Sequence, residues 1–190
     1  MEARDRRARL DRFLAQQETQ AYRMAYAMTQ NREDALDLVQ DSMLRLVRHY
    51  ADRDDAEWTL LFYRILNNRI RDFHRRRRLW RWLPLFGDTR EGDDRSEEPQ
   101  SAATASAQPR LPEEQLAQSD GLRRIHQALA RLPLRQQQAF LMRALQEFST
   151  RETAEALGIS EASVKTHYRR ALQQLRKQLA DDPATHGETA

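Results

Sequence analysis

Cysteine is absent from this 190-residue chain, which excludes disulfides, thiolate nucleophiles and thiolate metal sites. Glycine and proline are scarce, with five and six copies, and three valines and four isoleucines stand against 24 leucines. β-Branched residues suit strands whereas leucine keeps its rotamer freedom on a helix, so the imbalance predicts an all-α fold. No apolar run approaches the roughly 18 residues of a membrane span. Residues 1–12 are charged throughout and hold no apolar segment of the secretory kind. A cytoplasmic protein without membrane insertion is expected. Catalytic signatures are missing too: the five histidines form no i,i+4 pair around a glutamate, and no phosphate-loop, nucleophile-elbow or dinucleotide glycine pattern occurs. No enzyme activity, cofactor or metal is expected.

Charge is what the chain has in plenty. Lys and Arg number 32 against 29 Asp and Glu, for a net +3, and only Lys165 and Lys177 are not arginine among the cations. Arginine's planar fork suits phosphates and guanine edges. With 39% hydrophobic and 32% charged residues, two small helical cores fit better than one large one.

Apolar residues recur at Leu10, Phe13, Leu14, Ala21, Met24, Ala25 and Met28, one face of a first helix. Asn31 followed by Glu33 and Asp34 reads as the start of a second, which should bury Leu36, Val39, Met43, Leu46, Val47 and Tyr50. A polar break at 52–55 precedes a third, with Trp58, Leu61, Phe62, Ile65, Ile70 and Phe73 inward. These close a domain over 1–82. Residues 83–119 lose periodicity and carry eight carboxylates against three arginines, a net −5, the composition of a flexible acidic linker. Periodicity returns with Leu122, Ile125, Leu129 and Leu132, and after Pro133 with Leu134, Phe140, Leu141 and Leu145. These begin a second domain over 120–180, followed by a disordered tail at 181–190.

Within that second domain Ser149-Thr-Arg-Glu152 has the spacing of a capping box. A short helix to Leu157, a stop at Gly158 and a restart at Ser160 complete a helix-turn-helix. At 100° per residue, Val164, Tyr168, Ala171, Leu172, Leu175 and Leu179 share the packed face. Ser163, Thr166, Arg169, Arg170 and Gln173 point the other way, with Lys165 and His167 at the flanks, as a groove reader needs. The third helix carries an outward stripe of Tyr63, Arg64, Asn67, Arg71, His74, Arg75 and Arg78, suited to a nucleic-acid backbone and exposed bases. Arg69 falls toward its apolar side without an evident reason. On the second helix, Asp37, Gln40, Asp41 and Leu44 form an outward patch of acid, amide and leucine.

Taken together, "NREDALDLVQDSMLRLVRHY", "FYRILNNRIRDFHRRRR" and "LARLPLRQQQAFLMRALQEFSTRETAEALGISEASVKTHYRRALQQLRKQL" resemble regions 2.2, 2.3–2.4 and 4 of bacterial RNA polymerase sigma factors. The kind resembled is the small extracytoplasmic-function kind that keeps only regions two and four. The resemblance implies that Asp37, Gln40, Asp41 and Leu44 bind core RNA polymerase at the β′ clamp helices, and that region four meets the β flap. It implies contact with −10 promoter DNA by Trp58, Tyr63, Arg64, Asn67, Asn68, Arg71 and Arg75. Contact with the −35 element falls to Ser163, Lys165, Thr166, His167, Arg169 and Arg170. An anti-sigma factor is implied as a further partner, and the linker is expected to thread a basic channel of the polymerase. Leu61 stands where the family usually has Trp, and Thr153 where it has Ile. "VKTHYRR" also resembles the response-regulator type of helix-turn-helix, so a polymerase-independent regulator stays open at this point, as does a nonspecific basic RNA-binding or membrane-surface protein. Domain order favours the sigma reading.

Overall fold

The computed structural model describes residues 2–82 and 120–180. The expected linker at 83–119 and tail at 181–190 lie outside the described residues. Among those described, seven helices and no strand occur: α1 (Glu2–Thr29), α2 (Arg32–Tyr50), α3 (Asp55–Trp82), α4 (Asp120–Ala130), α5 (Leu134–Ala144), α6 (Thr150–Leu157) and α7 (Glu161–Ala180). No helix of the described residues is long and apolar enough to cross a membrane.

The first three helices form a bundle. Leu10, Ala21, Met24, Ala25 and Met28 of α1 meet Leu38, Val39 and Leu46 of α2 and Phe62, Leu66 and Ile70 of α3, all buried. α1 ends where Gln30 turns left-handed, φ 54°, an arrangement that costs about 1 kcal/mol for a residue with a Cβ. Its side-chain amide offsets part of this by donating to the Ala27 carbonyl, 2.8 Å. Asn31 caps α2 as its sequence predicts, its side-chain oxygen accepting from the Asp34 N–H at 3.0 Å. At the other end Trp58 Nε1–H donates to the Tyr50 carbonyl, 3.2 Å. Phe13 packs on both Trp58 and Phe62, with ring centroids 5.7 and 6.4 Å away.

The last four helices form the second unit. Pro133 precedes α5 as its cap residue, and its carbonyl accepts from the Gln136 and Gln137 N–H groups at 2.8 and 3.1 Å. The capping box before α6 is complete: the Ser149 hydroxyl accepts from Glu152 N–H at 3.1 Å, and the Glu152 carboxylate from Ser149 N–H at 2.7 Å. Gly158, φ 64°, stops α6, and Val164, Ala171 and Leu175 anchor α7.

The two units pack on each other, an arrangement that helical periodicity does not encode. Tyr63 and Asn67 of α3 lie 1% and 2% exposed beneath α5 and α6, so this part of the supposed outward stripe faces protein. Tyr63 meets Phe148 edge-on at 5.3 Å, the Asn67 amide donates to Met142 Sδ at 3.3 Å, and the Gln138 amide donates to the Asn67 carbonyl at 3.2 Å. Beside them Tyr26 packs on His126 at 5.5 Å, and the Gln146 amide donates to the Gln20 carbonyl at 3.4 Å. Two apolar expectations also change. Val47 and Ile125 are 41% and 42% exposed: Val47 sits at the margin of the apolar arc of α2, whereas Ile125 lies within the arc of Ala128 and Leu129 but one turn nearer the start of α4. The side chain of Leu122 lies outside the described residues.

Candidate nucleic-acid and protein-docking surfaces

The helix-turn-helix positions α7. Ser160 caps it, its hydroxyl accepting from Ser163 N–H at 3.2 Å and pairing with the Ser163 hydroxyl at 2.8 Å. Thr166 Oγ1 donates back to the Ala162 carbonyl, 2.9 Å. Both hydroxyls are therefore engaged within the helix, which leaves the cations foremost. Lys165, Arg169 and Arg170 are exposed, and Ser163, Thr166 and His167 half-buried. Phe140 stacks on Tyr168 at 6.2 Å, and the Arg143 guanidinium lies 5.8 Å from the same ring. These two contacts fix α7 against α5. Burial, and then the neighbouring Arg135 and Arg170, hold the His167 imidazole below its ordinary pKa.

On α3 the expected contacts divide. Arg64, Arg71 and Arg75 are exposed and Asn68 is half-buried. Tyr63 and Asn67 are covered by the second unit, and Trp58, 1% exposed, belongs to the core of the bundle. Its indole is spent on the Tyr50 carbonyl and Phe13, so no face is free to stack on a base. The Tyr63 hydroxyl and the Asn67 side-chain oxygen have no hydrogen-bond partner within the seam, and burial pushes the Tyr63 phenol well above its ordinary value.

The α2 patch faces outward. Asp37 and Gln40 are exposed and Leu44 is 52% exposed. Val47, one turn on from Leu44, widens its apolar part. Asp41 is half-buried and held from two sides, by Arg45 at 3.2 Å on its own helix and by Arg69 reaching from α3. That ion pair explains why an arginine sits beside the apolar side of α3. The seam residues Gln138, Met142 and Phe148 do not stand out in the sequence, whereas Arg69 does so only as a cation at a core-facing position, whose partner Asp41 the sequence does not name. Among the described residues no cluster of metal-binding side chains occurs.

Comparison with known proteins follows the same division. Residues 14–79 match the family described as Sigma-70 region 2 and residues 122–175 that described as Sigma-70, region 4. RNA polymerase sigma factor SigV of Bacillus subtilis is 28% identical over 162 residues, 85% of this chain and 85% of that protein. ECF RNA polymerase sigma factor SigM of Mycobacterium tuberculosis is 29% identical over 170 residues, 89% of this chain and 76% of that protein. Among solved structures, the sigma factor RpoE in complex with the anti-sigma factor NepR, from Bartonella quintana, superposes with a TM-score of 0.65 at 18% identity, covering 90% of this chain and 97% of that one. CnrH in complex with the cytosolic domain of CnrY gives 0.60 at 20%, covering 91% and 89%.

Proposed function

The chain belongs to the sigma-70 family as an extracytoplasmic-function RNA polymerase sigma factor, and from that premise we propose how its surfaces divide the work of initiation. Asp37, Gln40, Asp41 and Leu44 dock α2 on core polymerase at the β′ clamp helices, Leu44 and Val47 supplying apolar area and the acid and amides the register. The second unit meets the β flap and presents α7 to the −35 element. There Lys165 and Arg169 hold phosphates and Arg170 reads a base edge, with Ser163, Thr166 and His167 at the margin. On α3, Arg64, Asn68, Arg71 and Arg75 meet −10 DNA directly. Tyr63 and Asn67 join them once the second unit moves off α3, and Trp58 supports that face from within the core.

No chemistry is assigned to this chain; bond formation belongs to the polymerase. The observation that carries the reading is the exposed, capped α7 with its three cations on the same chain as the outward α2 patch. An anti-sigma partner is proposed in addition, because RpoE was crystallised with the anti-sigma factor NepR and the CnrH structure likewise holds a second protein, the cytosolic domain of CnrY. The linker at 83–119 is proposed to thread the polymerase channel; its relaxed span of roughly 33 Å falls short of two DNA elements about 70 Å apart, so a partner must extend it. Purified core polymerase, given a genomic library with and without the chain, should gain a new set of start sites. Gln40→Ala should abolish that set by loss of core binding, and Arg170→Ala should cost roughly 1–3 kcal/mol at one base pair. A chain that binds its promoters unchanged without core polymerase would instead be an independent regulator.

A further inference from the structure

The closed pair of units does more than cover Tyr63 and Asn67; it brings cations of both units into one surface. A cleft of about 550 Å3 opens between them, lined by Arg71, His74, Arg75 and Arg78 of α3 over an apolar floor of Leu79 and Leu134. Arg71, Arg75 and Arg78 recur at helical spacing and are exposed. Arg135 of α5 continues the row, its guanidinium fixed by donation to the Leu157 carbonyl at 3.2 Å and Gln138 Oε1 at 3.3 Å. His167 of α7 lies within electrostatic reach of Arg135, and Arg170 within reach of His167.

These groups feel one another. Burial and then Arg71 lower the pKa of Arg135, as burial and then Arg135 and Arg170 lower that of His167. Among the described residues one carboxylate is paired with this row, Asp72 on Arg75 at 3.3 Å. The Leu134 and Arg135 N–H groups at the start of α5 add to it, for Pro133 provides no side-chain cap and its carbonyl engages only the Gln136 and Gln137 N–H groups. Cations held side by side with so little counter-charge among the described residues repel one another until an anion of matching length neutralises them.

We infer that the closed chain holds duplex DNA by its phosphates along the band Arg71, Arg75, Arg78, Arg135 and Arg170, without polymerase and without regard to sequence. A duplex is the occupant favoured because the groups on which unpaired bases would stack or bond, Tyr63 and Asn67, lie under the seam, while cations remain outside. The band exists only while the two units are together. It therefore goes beyond promoter reading, in which α3 and α7 serve separate elements.

The cysteine-free chain makes the test direct. Gln20→Cys with Gln146→Cys, at positions that touch across the seam, is joined by a short bismaleimide, and the locked full chain is titrated against a fluorescent random-sequence duplex over a range of salt. The locked chain should bind as tightly as the unlinked one, with log affinity falling against log salt with a slope of about −4.5 for five phosphate contacts. Arg71→Gln and Arg170→Gln, on opposite units, should each reduce that slope by about one, and together weaken binding at least tenfold with helicity unchanged by circular dichroism. Tenfold weaker binding by the locked chain overturns the inference, since the cations would then act from separated units. Tighter binding of single-stranded RNA than of duplex overturns it as well, assigning the band to RNA. Neither polymerase nor promoter enters this assay, so its failure leaves promoter reading standing, and loss of start sites leaves the band standing.

Discussion

Tyr63 is the residue on which the two uses of α3 conflict. Its ring is well packed between Phe62 and Phe148, at 5.2 and 5.3 Å, yet its hydroxyl has no hydrogen-bond partner among the described residues. An unsatisfied buried hydroxyl costs on the order of 1–3 kcal/mol. Tyr63→Phe should therefore leave the closed chain as stable or stabilise it by about 1 kcal/mol in urea unfolding, the reverse of the usual effect of cutting a polar group from a core. Arg69 makes the complementary case. It touches no proposed partner but holds Asp41, so Arg69→Leu should weaken core polymerase binding several-fold while costing about 0.5–1 kcal/mol of stability, since the pair is only partly buried. Polymerase affinity unchanged in Arg69→Leu would mean that Asp41 needs no such support.

Among the elements, α6 and its two ends are written almost entirely in local sequence. The Ser149–Glu152 box and Gly158 sit within ten residues of chain, and each works through its own backbone. That is why the helix-turn-helix is legible from the order of residues alone. Ser149→Ala should cost about 1 kcal/mol. Gly158→Ala should cost about 1–2 kcal/mol, although a Cβ there meets nothing within 4 Å, because the loss is conformational. Thermal unfolding of the two variants measures both. α3 is the opposite case. Its periodicity reveals one apolar face for the bundle and a polar stripe, but not that Tyr63 and Asn67 of the stripe are covered. Those contacts pair residues 71, 75 and 85 positions apart, a separation no periodic pattern reaches, and they rest on two aromatics, two amides and a methionine that would pass as surface or core in either unit. Arg69 is legible only as an anomaly until Asp41 is placed opposite it.

For the whole molecule, the seam has a dependence on acidity. His74 and His126 are held below the ordinary imidazole value, His74 by burial and then Arg77 against a hydrogen bond with the Met28 backbone, and His126 by burial. His167 shares the direction. A histidine whose folded pKa is lowered binds fewer protons folded than unfolded, so stability is fully present above the unfolded value of about 6.5 and declines as pH falls through it toward the folded value. Urea midpoints should thus fall between about pH 7 and 5, and His126→Gln, which removes the group packed on Tyr26, should flatten that fall. A midpoint that rises on acidification in this window would reverse the assignment.

Both faces of the seam belong to one polypeptide, so the fraction of molecules with Tyr63 and Asn67 covered is set by a unimolecular equilibrium. Dilution does not change it, whereas a separate inhibitory protein loosens its hold as both fall in concentration. Each newly made chain therefore carries the same degree of concealment whether it is one of few or one of many. A partner that opens it contends with a fixed free-energy step rather than with a competitor's abundance.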